Sequence, residues 1–213
     1  MEESLSVHRY TLPSLRRHTR SIRADGASVF ELHQSQIASA IRAFDAFFAE
    51  LDQQSDSLRR NVRKVLATSF FNHWYAALLL IEAGLWVDAI LCERNALEAL
   101  AFHWLVCLDP TAVDDYHGGS IPKPVLVRRR LEALGADISF IREGYAAGSQ
   151  ISHVGRSAER FHLDWQDQGV GELMIGGSFR RDDVEHWVVY LPALLRLFLE
   201  PMVVGPPPEN RGV

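Results

Sequence analysis

Apolar residues at three- and four-residue intervals run through most of the chain, so helices are the elements its pattern predicts. Phe30, Ile37, Ile41, Phe44, Phe48 and Leu51 keep the spacing of a heptad seam, interrupted once at Gln34. Ser28-x-x-Glu31 has capping-box spacing directly after the Asp25-Gly26 breaker, so a first helix is expected from Ser28 to about Leu51. A stripe of that length needs a partner along it. A second helix is expected from Ser57 to Ala83, with Val62, Val65, Leu66, Phe70, Trp74 and Leu78 as its apolar positions and Gly84 as its cap. The connection is so short that the third helix, Leu85 to Leu108, must fold back antiparallel. Asp109-Pro110 ends it, and as the most apolar segment it is the expected centre of the bundle.

Beyond Pro110 the pattern is broken by His117-Gly118-Gly119 and Pro122-x-Pro124, leaving room for a short helix from Thr111 to Tyr116. A helix from Val125 to Leu134, capped by Gly135, and another from Asp137 to about Ser152 follow. In the latter Gly144, Gly148 and Ser152 recur every four residues, a stripe of small side chains that lets a neighbour approach closely. Alternation over Glu159 to Trp165, turn residues over Gln166 to Gly171 and the apolar Leu173 to Ile175 predict a small β-hairpin. The last helix should run from Asp182 to Leu199, with acids in its first turn, a kink at Pro192 and a stop at Pro201. The expected fold is therefore all-α: a five- to six-helix bundle with a β-hairpin before the last helix. Residues 1–27 read as a basic arm, 28–200 as the helical domain and 201–213 as a proline-rich, disordered tail.

Composition adds limits to this picture. With 213 residues, 47% of them hydrophobic and 23% charged, the chain is long and apolar enough for one domain with its own core. A net charge of −5 gives no overall positive field for nucleic acid or an anionic membrane. Basic character is local, in Arg9, Arg16, Arg17, Arg20 and Arg23, and such an arm more often docks a partner or faces water. The longest uncharged stretch, Val65 to Ile81, is 17 residues and includes Asn72 and His73, which suits a buried helix and not a membrane span. Cys92 and Cys107 fall on one predicted helix, over about 20 Å apart, so they cannot bridge. Together with a start at Met1-Glu-Glu, without a basic and apolar leader, this gives a cytoplasmic expectation.

Polar groups in an apolar helix are the informative ones. On the third helix Asp88, Arg94, Asn95, Glu98 and His103 share one half of the wheel, and Arg94 and Glu98 are an i,i+4 pair able to touch. Facing inward beside His73 or His103, that pair would make a site. Facing outward, it is a solvated stripe or a structural ion pair. The run from Glu82 to Ala99 resembles the signature helix of a bacterial family of helical proteins of unknown function, in which Gly-x4-Ala-x4-Arg-x3-Glu is matched by Gly84, Ala89, Arg94 and Glu98. Ser149-x-x-x-His153 is similar to the same family's later Ser-x3-His element. The resemblance spans about residues 60 to 200 and implies that Arg94, Glu98 and His153 meet in space. It brings no established activity.

Some such domains are grouped with the HEPN superfamily, whose ribonuclease toxins carry Arg-x(4-6)-His. There Arg would stabilise charge on the scissile phosphate and His would act as general acid or base. Twenty arginines and nine histidines produce about two or three matches by chance, and the chain has three: Arg156 to His162, Arg180 to His186 and Arg181 to His186. The last is best placed, at a helix start, although Asp182, Asp183 and Glu185 around it would repel phosphate. A di-iron bundle needs Glu-x-x-His on each of two helices and the chain has it once, at Glu159 to His162; no phosphate loop or Cys-x-x-Cys is present, and neither a metal nor a cofactor is expected. Asp114-x-x-His117 reads as a loop histidine, and Trp74, Trp86, Trp104 and Trp187 as core. The sequence thus favours an interaction or ligand-sensing module built around Arg94 and Glu98. It would pair with itself or a protein partner through helix 28–51. The alternative is a HEPN-like ribonuclease toxin or phage-defence effector using Arg181 and His186, or Arg94, Glu98 and His153, and only that reading calls for RNA.

Overall fold

Seven helices carry the described residues of the chain, a computed structural model in which residues 12–119, 123–152, 163–165, 171–173 and 180–199 are described. They are α1 (Leu12–Gln53), α2 (Leu58–Glu82), α3 (Trp86–Leu108), α4 (Ala112–His117), α5 (Pro124–Ala133), α6 (Ser139–Ser152) and α7 (Arg181–Leu197). The all-α expectation holds. No helix among the described residues is long and apolar enough to cross a membrane.

The boundaries of α2, α3 and α5 follow from local chemistry. Ser57 caps α2, its hydroxyl accepting from the Arg60 amide at 3.1 Å. Gly84 ends it with φ 72°, and Leu85 N–H bonds back to Leu80 C=O while Gly84 N–H bonds to Ile81 C=O. This Schellman turn leaves one residue before α3 begins, which is why α3 lies back along α2. Gly135, φ 81°, closes α5 with the same pair of bonds, to Glu132 and from Ala136 to Leu131. The Asp137 carboxylate then accepts the Ser139 amide at the start of α6.

Two boundaries are corrected. The first helix does not begin at Ser28: α1 starts at Leu12 and passes through Asp25-Gly26 without a break, so Arg16, Arg17, Arg20 and Arg23 belong to a helix of 42 residues and not to a separate arm. One helical glycine costs about 1 kcal/mol, and the burial of Ile22, Gly26 and Val29 at one face outweighs it. Only residues 1–11 of the predicted arm, Arg9 among them, lie outside the described residues, as does the tail 201–213. The hairpin expected from strands 159–165 and 173–175 is described only in part, and its second strand begins earlier, at Gly171. What is described is one antiparallel pair of three residues each, β1 (Leu163–Trp165) and β2 (Gly171–Leu173), with Leu163 opposite Leu173. The rest of both predicted strands lies outside the described residues.

The core forms around α3, which contacts α2, α4, α5 and α6, while α1 packs mainly on α7. Trp74, Trp104, Phe70 and Phe198 are its largest fully buried side chains. The small stripe of α6 works as the sequence suggests: a Cβ at Gly144 would meet Leu97 Cδ1 at 2.7 Å, and one at Gly148 would meet Arg94 Cβ at 3.4 Å. Close approach of α6 to α3 is what brings the polar side chains described next into one cavity.

Candidate functional site

Arg94 and Glu98 do touch, with Nε to Oε1 at 3.7 Å, but as a half-exposed pair at 28% and 34% side-chain exposure. They do not face the bundle interior. A pair in that setting contributes about 0.3–0.5 kcal/mol. A double-mutant cycle of Arg94→Ala and Glu98→Ala should therefore return a coupling below about 1 kcal/mol in urea denaturation; a larger value would mean a pair far better shielded than this one.

The pair matters for what surrounds it. Arg94 donates from Nη2 to the Tyr145 hydroxyl at 2.6 Å and lies over that ring, 4.5 Å from its centroid. Arg128 of α5 lies over the same ring at 4.2 Å. Beside them opens a cavity of about 540 Å³. Its polar wall carries His73 from α2, Asn95 and Glu98 from α3, Tyr116 from α4, Lys123 and Arg128 at the start of α5, and Tyr145 from α6. Its floor is apolar, with Leu97, Phe102, Val127 and Ile141. The cavity thus joins five helices, and α5 is held to the α3–α4 junction by Arg130, which bonds both Asp109 and Asp115. Among the described residues Arg128 forms no ion pair, so its guanidinium has an aromatic face but no carboxylate.

His73 is where a site beside Arg94 and Glu98 would want it, but His103 is not. His103 is fully buried, stacked on Phe198 with centroids 4.1 Å apart, edge-on to Phe47 and 3.6 Å from Cys107 Sγ. Its Nδ1 has no hydrogen-bond partner among the described residues. Burial, with Arg63 nearby, pushes its pKa down to about 3, so it is a neutral core side chain. His153, like Arg156 and His162, lies outside the described residues. Arg181 and His186 are on α7 and exposed; Arg181 is bound to Glu185 at 2.8 Å and His186 stacks on Tyr190 at 6.0 Å.

No protein-family profile, curated protein or solved structure matches this chain. What it binds must be argued from its side chains. Among the described residues no group of three His, Cys, Asp or Glu is placed to hold a metal ion.

Sequence reasoning missed three of the informative groups. Tyr145 and Arg128 come from helices whose register against α3 is a tertiary property. Glu93 had a signal: it is an acid in the apolar run of α3, next to Arg94. It is 6% exposed and accepts the Tyr190 hydroxyl on Oε1 at 2.7 Å, close to Gly144. Burial raises its pKa to about 7 despite the Tyr190 hydrogen bond, and burial together with the same contact raises that of Tyr190.

Proposed function

We propose that this protein is a ligand-sensing helical module, working as paired copies in a reducing, cytoplasmic setting, whose site is the cavity between α2, α3, α4, α5 and α6. The ligand class that fits is a small organic anion with an apolar body. The observation that carries the reading is the Arg128 guanidinium beside Tyr145, without an ion pair among the described residues, at the edge of an apolar floor. An anionic head placed there gains a charge-assisted hydrogen bond, and Leu97, Phe102 and Ile141 take the body out of water. Glu98 would then select against dianions and accept any donor the ligand carries. The cytoplasmic part rests on Cys92 and Cys107, both free.

The resemblance to the bacterial helical family belongs to the same reading. It has the support that Gly84 occupies the left-handed turn before α3 and that Ala89 is fully buried. The ribonuclease alternative finds no comparable support at Arg181, which is engaged by Glu185, and its other form, on Arg94, Glu98 and His153, needs a residue outside the described ones. Acids at 182, 183 and 185 surround the pair of Arg181 with His186.

The test is titration with 1-anilinonaphthalene-8-sulfonate, an apolar anion of suitable size. One saturable site per chain is expected, weakened about tenfold or more by Arg128→Ala, with the far-ultraviolet spectrum unchanged. Binding that is absent, or unaltered in the variant, overturns the proposal.

A further inference from the structure

Helix α1 carries a second apolar stripe, one residue round from the stripe that the core buries. Ile22, Gly26, Val29, Ala40 and Phe44 are buried, whereas Phe30, Ile37, Ile41 and Phe48 are only half-buried. The half-buried set lines two grooves along α1, about 600 Å³ against Leu78 and Glu82 of α2 and about 360 Å³ against Phe71 and Asn72.

Six of the residues facing these grooves are related by an internal symmetry. At 100° per residue, positions 23, 27, 30, 38, 41 and 45 fall within about 40° of Gln34. Reflected through Gln34, Arg23 falls on Asp45, Ala27 on Ile41 and Phe30 on Ala38. Each of these residues lines one of the two grooves. The steps from 23 to 34 to 45 are eleven residues, close to three whole turns, so the face stays straight over about 33 Å.

Charge along α1 is polarised in the same sense. Residues 12–24 hold Arg16, Arg17, Arg20 and Arg23 and no acid; residues 25–53 hold Asp25, Glu31, Asp45, Glu50 and Asp52 against Arg42 alone. Neither Arg23 nor Asp45 forms an ion pair among the described residues; burial raises the pKa of Glu82, and Arg23 lies near enough to oppose that rise in part. A parallel partner helix would set like charge against like. An antiparallel one sets each basic end on an acidic end and each alanine on a large side chain.

We infer that the occupant of this face is a second copy of the chain, docked antiparallel on α1 about a two-fold axis through Gln34, with Arg23 against the partner's Asp45. Gln34 then meets the partner's Gln34 at the axis. A polar residue interrupting an apolar seam pins the register, at some cost in stability. An isologous contact of this kind closes after two copies. The inference rests on the reading that the protein works as paired copies, and it is independent of the ligand cavity.

The experiment uses the full chain. Sedimentation equilibrium should give twice the chain mass. Arg23→Asp, which sets two acids opposite each other at both ends of the face, should weaken the dimer about tenfold or more. Arg23→Asp with Asp45→Arg should restore it to within about threefold. In a Cys92→Ser, Cys107→Ser background, Gln34→Cys should form a disulfide-linked dimer on mild oxidation, and Ile41→Cys alone should not. A dimer insensitive to the charge exchange, or one that does not link at 34, overturns the register while leaving self-pairing standing. A monomer at about 100 μM overturns both, and is what would be seen if another part of the chain, such as residues 200–213, covered the grooves.

Discussion

Between about pH 4.5 and 6.5 the unfolding free energy of this protein is expected to stay nearly flat, because two buried groups oppose each other. In the native state Glu93 keeps its proton up to about pH 7, while the unfolded carboxyl releases it near 4.5. His103 stays neutral down to about 3, while the unfolded imidazole takes up a proton below 6.5. Within the window each state therefore holds one of the two protons, the native state at Glu93 and the unfolded state at His103. Neither binds more than the other, and the slope of stability against pH vanishes.

Removing either group should uncover the other. Glu93→Gln keeps an acceptor for the Tyr190 hydroxyl and leaves only the His103 imbalance, with the unfolded state binding the extra proton. Its stability should fall with falling pH by about 1.4 kcal/mol per unit, or roughly 2–3 kcal/mol across the window. His103→Phe preserves the stack on Phe198 and gives up the 3.6 Å contact of Nε2 with Cys107 Sγ, while Nδ1 has no partner to strand among the described residues. In that variant the native state binds the extra proton, so stability should fall with rising pH by a similar amount. Below about pH 4.5 the wild-type protein also weakens, since the unfolded glutamate is then protonated as well and only His103 remains unbalanced. Asp137, held low by the Ser139 amide, adds to this loss at still lower pH. Urea titrations at pH 4.5, 5.5 and 6.5 measure all three profiles. Parallel slopes for the two variants would contradict this placement of the two groups in the core.

How much of this was legible in the sequence depends on the range of the interaction. The ends of α2, α3 and α5 could be read because Ser57, Gly84, Pro110 and Gly135 act within a few residues of themselves. The start of α1 could not, because the same local rule at Asp25-Gly26 is outvoted by the burial of Ile22 and Val29 against other helices. The candidate site divides in the same way. That Arg94 reaches Glu98 follows from helical periodicity alone. That Tyr145 lies under Arg94 and Arg128 requires α6 to press its Gly144 and Gly148 onto α3, and no local pattern reports the register. His103 shows the limit of a helical wheel: the wheel puts it among polar residues, while Phe47 from α1 and Phe198 beyond α7 enclose it.

The largest single losses of stability should come from the two tryptophans that hold α7 on the core. Trp74, fully buried, donates its indole N–H to Leu191 C=O at 2.7 Å, beside Pro192, which lies inside α7. Trp104, equally buried, donates to Leu197 C=O at 3.0 Å. That carbonyl would ordinarily accept from residue 201, which is a proline and has no N–H to offer. Each indole therefore contributes packing and a hydrogen bond to α7, that of Trp104 at the carbonyl which Pro201 leaves without its usual donor. Replacement by alanine should cost about 3–5 kcal/mol at either position. Replacement of Trp104 by phenylalanine keeps most of the ring and should still cost about 1–3 kcal/mol, the penalty for stranding the Leu197 acceptor; at Trp74, where Leu191 C=O lies within the helix ladder, the lost hydrogen bond should cost about 1 kcal/mol. The two carbonyls are six residues apart along α7, about 9 Å, so the phenylalanine losses should add to within about 0.5 kcal/mol in the double variant. Urea midpoints with unchanged m-values are the measure. A Trp104→Phe protein as stable as the wild type would show that Leu197 C=O finds another donor, and that packing alone secures the end of α7.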